Sequence, residues 1–196
     1  MARTVYSANA TMLEARSEYF EQNEFGPNGG YDEPTVEIEV FGTRLRFPNT
    51  EARKRAVRYH DLHHVVTQYA TDMAGESEIA AWELASNCRG HVAAWVLNFG
   101  AFTYGLITCP RRVRAAFVRG RHTRNLYDRR FDDALLGMPV GQLQAELGLD
   151  RDTLEQPRPA SAGDRVWFAA AVLTGLMPVL AILAGVAFGL TRLLGA

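Results

Sequence analysis

The string His60-Asp61-Leu62-His63-His64 concentrates more ligand-type side chains than any other stretch of this chain. On a helix, His60 and His64 stand four positions apart and share one face, with Asp61 at its border. Ala56, one turn earlier, extends that stripe with a small apolar side chain, so the trio is expected to face inward beside a space. Glu76 follows His64 by twelve residues. On one unbroken helix it would lie about 18 Å further along, too far to share an ion. A break at Thr71-Asp72-Met73-Ala74-Gly75 removes the difficulty. Two antiparallel helices joined there return Glu76, in the first turn of the second, toward the first. Two imidazoles and two carboxylates then converge on one point, which reads as a divalent-metal site of His60, Asp61, His64 and Glu76. Such mixed nitrogen and oxygen donors suit zinc, iron or manganese better than magnesium or calcium.

Other polar residues take lesser places. Glu83 lies seven residues after Glu76, on nearly the same face, and is expected to orient a ligand from behind. His63 points off the ligand face and reads as a flank. Cys88 and His91 have a ligand-like spacing, but a buried free cysteine is the ordinary reading of one such pair. A phosphohydrolase of the His-Asp type needs a histidine before His60, and none exists. A desaturase needs several histidine clusters, and only one is present.

His60-Asp61-x-x-His64, followed after eleven residues by Glu76, resembles the signature of the Coq4 family of coenzyme Q biosynthesis. The wider stretches Arg58 to His64 and Gly75 to Glu83 resemble bacterial Coq4-like proteins in particular. The resemblance covers about Arg58 to Leu84. It implies that His60, Asp61, His64 and Glu76 bind the metal, with zinc favoured over iron or manganese. It also implies a helical fold, a peripheral membrane location and a groove for isoprenoid tails. The implied role is in ubiquinone assembly, on the carboxylated ring of a polyprenylated intermediate, by decarboxylation and hydroxylation at ring carbon 1. The other role implied is a non-enzymatic isoprenoid-lipid scaffold or carrier for further quinone-biosynthesis proteins, its metal structural.

The elements that must position these residues read as mainly α. Ala8 to Asn23 predicts an amphipathic helix with Ser7 or Asn9 as cap, and Val36 to Phe47 alternates as a small β-hairpin around Phe41-Gly42-Thr43. Asn49 or Thr50 caps a helix to about Tyr69, and Glu76 opens a long helix that runs to Cys109 and ends at Pro110. Phe131 to Leu149 predicts one or two short helices. The domain reading is a helical metal-binding domain over 1–152, a linker over 153–165 and a transmembrane helix over 166–190. That last run holds 25 residues without a charge, with Thr174 its one polar side chain, and a bilayer core needs about 20. Arg151, Arg158 and Arg165 precede it and Arg192 follows, which places the domain on the cytoplasmic side of an inner or cytoplasmic membrane. The first residues lack the apolar run of a secretory signal.

Two cysteines make no disulfide framework. A net charge of -1 argues against nucleic acid as a partner. Eight arginines nevertheless stand between residues 111 and 130 against the single acid Asp128. Arg111, Arg112 and Arg114 follow directly on an apolar helix, and are expected to rim a site for an anionic lipid head or phosphate.

Overall fold

Thr11 starts the first helix through a reciprocal cap. Its hydroxyl accepts from the Glu14 N–H, and the Glu14 carboxylate accepts from the Thr11 N–H at 2.8 Å. The cap therefore sits later than Ser7 or Asn9, and α1 spans Met12–Gln22. In the computed structural model, which describes residues 5–40, 43–149, 156 and 158–194, two strands follow. Strands β1 (Thr35–Val40) and β2 (Thr43–Pro48) form the antiparallel hairpin, with Val36 opposite Phe47. Its turn, Phe41-Gly42, lies outside the described residues. The helical part then comprises α2 (Glu51–Thr67), α3 (Met73–Ser86), α4 (Val92–Thr108), α5 (Pro110–Arg121), α6 (Asp133–Leu136), α7 (Val140–Leu147) and α8 (Ala162–Leu194).

The long helix expected from Glu76 to Cys109 is two helices. Asn87 and Gly90 take positive φ (83° and 75°), which breaks the chain between α3 and α4. Pro110 ends α4 and also opens α5, where its missing N–H costs nothing. The arginine-rich stretch is therefore helical through Arg121.

Helix α3 is the centre. Ile79, Ala80, Ala81, Trp82 and Glu83 are all essentially inaccessible, and α3 packs on both α4 and α5. Glycines permit that approach. A Cβ on Gly120 would stand 2.3 Å from the Trp82 carbonyl oxygen, and one on Gly105 would stand 2.4 Å from the Ser77 Cβ. Because backbone cannot yield as a flexible side chain can, Gly120→Ala is expected to destabilise the domain by about 2 kcal/mol. The helix propensity gained, about 1 kcal/mol, works the other way and is outweighed. Urea denaturation should show a lower midpoint with an unchanged slope; an unmoved midpoint would mean that α3 and α5 separate freely.

Helix α2 carries Leu62, Val65 and Val66 into the same core, with α1 and α7 against it. Helix α8 lies on α4 and α5. Phe168 meets Phe102 and Phe117, and the Thr103 hydroxyl donates to the Gly175 carbonyl at 3.2 Å. At its start, the buried Asp164 accepts from His122 and from the Ser161 hydroxyl. These hydrogen bonds hold its carboxyl well below the usual carboxylate range.

Among the described residues no helix is long and apolar enough to cross a membrane, which corrects the single-pass anchor expected over 166–190 and the membrane localisation built on it. Over its first turns α8 is instead committed to protein, through Asp164, Phe168 and Gly175. The side chains of residues 186–190 lie outside the described ones. So do residues 153–155 and 157 of the expected linker; its last four residues, from Ala162 to Arg165, already belong to α8.

Candidate metal centre

The break between α2 and α3 positions the ligands. Gln68 ends α2 with φ 59°, a left-handed residue that turns the chain so that the Tyr69 carbonyl meets the His64 Nδ1 at 3.0 Å. Asp72 then caps α3 by accepting from the Gly75 N–H at 2.8 Å. Gly75 allows the tight return, since a Cβ there would stand 2.0 Å from the Ala70 carbonyl oxygen. One residue later, Glu76 faces α2.

His60, His64 and Glu76 bring one ligand atom each within 4.8 Å of one another. The two Nε2 atoms are 3.2 Å apart. Glu76 Oε2 is 3.3 Å from His60 Nε2, and its Oε1 is 3.3 Å from His64 Nε2. Tetrahedral donors bound to zinc at 2.0–2.1 Å stand about 3.3 Å apart, so these spacings fit one face of such a site. The far nitrogens are already engaged. His60 Nδ1 donates to Glu83 Oε1 at 2.9 Å, and His64 Nδ1 donates to the Tyr69 carbonyl. Both Nε2 lone pairs are thereby aimed at each other and at a carboxylate, the arrangement by which outer partners prepare histidines for a metal. Two lone pairs at 3.2 Å repel unless a cation or a proton stands between them.

The charges agree. Burial opposes a charge on His60, but Glu83 and Glu76 outweigh it and raise its pKa well above the usual imidazole value. Burial likewise opposes ionisation of Glu76, yet the two histidines pull its carboxyl down to about 2. The side chains of His60 and Glu76 are 21% and 32% exposed against 1% for His64, so the centre opens to solvent on the His60 and Glu76 side.

Asp61 does not join this group. It sits one residue from His60, a third of a turn round α2, and its buried carboxylate accepts from the Tyr31 hydroxyl at 2.5 Å. Burial raises its pKa, with Tyr31 acting in the opposite direction. Glu83 stands where an orienting residue should, behind His60. Its four acceptor positions are filled by His60 Nδ1, His63 Nδ1 at 2.7 Å, Asn98 Nδ2 at 2.5 Å and the Tyr127 hydroxyl at 2.7 Å.

His63 is more than a flank. It is fully buried, and its Nε2 accepts from the Leu126 N–H at 2.9 Å. Its proton is therefore on Nδ1, where it serves Glu83. Burial lowers its pKa despite Glu83, which suits a neutral ring that must accept from a backbone donor. His63→Ala is expected to cost about 3 kcal/mol through the cavity and the orphaned Leu126 N–H. Metal stoichiometry should stay at one per chain, since no ligand atom is lost. Metal analysis beside urea denaturation checks both, and an empty but stable variant would contradict them. Tyr19, whose ring stacks on His64 at 5.4 Å and 19°, was likewise invisible as a site residue from spacing.

The arginines divide. Arg112 pairs with Glu78 at 2.5 Å, and Arg119 is buried with its Nη1 on the Tyr69 hydroxyl. Arg121 lies over Trp167, Arg124 donates to the Glu146 carbonyl, and Arg129 pairs with the Glu146 carboxylate. Five of the eight thus serve the fold, while Arg111 and Arg114 are exposed on α5.

No family model, curated protein or solved structure matches this chain. Among the described residues, His60, His64 and Glu76 form the group that could hold a metal ion.

Proposed function

We propose that this chain is a zinc-type, Coq4-like metal protein of isoprenoid quinone biosynthesis, acting on the carboxylated ring of a polyprenylated intermediate. The observation that carries the metal-dependent reading is the convergence of two Nε2 lone pairs and one carboxylate whose partners have already fixed both imidazole tautomers. Three protein ligands with a solvent-facing side resemble catalytic rather than structural sites, which close all four positions with protein. Bound there, a divalent ion supplies a Lewis acid for a carboxylate or phenolate oxygen. Glu83 and the Tyr69 carbonyl hold the two rings in place, and His60 and Glu76 border the solvent-facing side. The substrate class rests on the resemblance to the Coq4 family carried by His60, Asp61, His64 and Glu76 and the stretches around them. It gains support from α4, which packs on both ligand helices and leaves Val96, Leu97 and Ile107 exposed as an apolar surface.

In a cell deprived of this chain, a polyprenylated ring that keeps its carboxyl group should accumulate, and the wild-type protein should clear it. Glu76→Gln keeps the volume but removes a charged ligand, and should leave the intermediate in place. Clearance by a folded, metal-free Glu76→Gln protein would overturn the enzymatic reading and leave an isoprenoid-lipid scaffold.

A further inference from the structure

Helix α8 has two apolar faces, and its own domain uses only one. Phe168 and Gly175 lie on the inner face, against α4. On the outer face Val166, Leu173, Met177 and Leu180 are 68%, 66%, 63% and 55% exposed, with Ala170 and Ala184 exposed between and after them. Their spacing is four, three, four, three, four, the 3.5-residue repeat of a helix–helix seam. We propose that this face is the self-association surface of a homodimer, covered by α8 of a second copy.

Three physical points favour a second copy as occupant. The stripe runs about 27 Å along the helix and exposes roughly 600 Å² of side chain, the upper end of what a monomer leaves open in its largest patch. Two copies would bury about 1,200 Å², the lower end of stable protein interfaces. The stripe carries no charge, so a two-fold axis can lay it against itself without repulsion. Ala169, Thr174 and Ala181 flank it with small side chains, which lets two helices approach closely. A lipid surface would require apolar residues but no seam periodicity. At the helix start, moreover, Asp164, His122 and Arg121 gather around polar contacts rather than an apolar edge.

The test is the molar mass of the full chain by light scattering, with Leu173→Glu and Met177→Glu combined in one variant and Leu173→Gln as a milder one. Wild type should give twice the 21.8 kDa protomer mass and the double variant 21.8 kDa. Metal content should be unchanged, and the thermal midpoint of the double variant should match that of wild type diluted to monomer, because both side chains point away from the domain. A wild type that is monomeric at every concentration, or a dimer that survives the substitutions, would overturn the proposal. So would a monomer that sediments with phosphatidylglycerol vesicles through Leu173 and Met177, which would assign the face to lipid.

Discussion

Replacing His64 by alanine should abolish the thermal response of this protein to zinc. With free metal about a thousandfold above the dissociation constant, binding to the folded state alone stabilises by about 4 kcal/mol. For a chain of this size that corresponds to a rise in Tm of about 10 °C. His64 supplies one of three converging donors, its Nε2 3.2–3.3 Å from the other two. Losing it should weaken affinity by more than the ten- to hundredfold typical of an outer partner. His60→Gln should act likewise, at a partly exposed position where less packing is lost. The response also has a direction in pH. The raised pKa of His60 stabilises the metal-free protein fully below the unfolded value near 6.5, and that contribution is lost as pH rises through the folded value. Glu76, depressed to about 2, contributes above the unfolded carboxylate value near 4.3 and loses that only as pH falls. Metal binding must displace the His60 proton, so the zinc-induced rise in Tm should grow from pH 6 to pH 8. Differential scanning fluorimetry with and without chelator measures both effects. An equal zinc response in wild type and His64→Ala would place the ion elsewhere.

What the residues made legible was local and periodic. A spacing of four on a helix joins His60 to His64 whatever surrounds them, and a break before Glu76 was required for any shared site. The same spacing argument misplaced Asp61, because the direction of a short carboxylate at a face border depends on what lies beside it. Tyr31 comes from a loop thirty residues earlier, and no period announces it. His63 was undervalued for a related reason: its partners Glu83 and Leu126 are 20 and 63 residues away. The division of α3 from α4 needed left-handed Asn87, a conformation that composition does not reveal. The apolar run at residues 166–190 was read by content alone, and content does not say that Phe168 is held between Phe102 and Phe117. Among the arginines, a block that looks like a cationic rim in sequence is mostly consumed by Glu78, Asp164 and Glu146.

Glu83→Ala should be among the most damaging single substitutions in the domain, although Glu83 touches no metal. Burial works against its charge, yet His60 and His63 outweigh it and hold the carboxyl well below its ordinary range, so it is an anion in the core. Alanine leaves four donors facing an empty space: the two Nδ1 protons, the Asn98 amide and the Tyr127 hydroxyl. An unsatisfied buried donor costs about 1–3 kcal/mol, and breaking a buried charge network about 3–5 kcal/mol. Against a total stability of about 5–15 kcal/mol, that loss brings the domain near its unfolding threshold. Glu83→Gln separates fold from site. Its amide oxygen can still accept from both imidazoles, while its NH2 meets a Tyr127 hydroxyl able to accept and an Asn98 side chain able to rotate. The glutamine variant should therefore fold, with metal affinity about ten- to hundredfold weaker because His60 has lost its anionic partner. Urea denaturation of both variants, with zinc titration of the second, decides the matter. A loss below about 1 kcal/mol in Glu83→Ala would mean that water reaches those four donors, and that Glu83 neither braces the core nor prepares His60 for the metal.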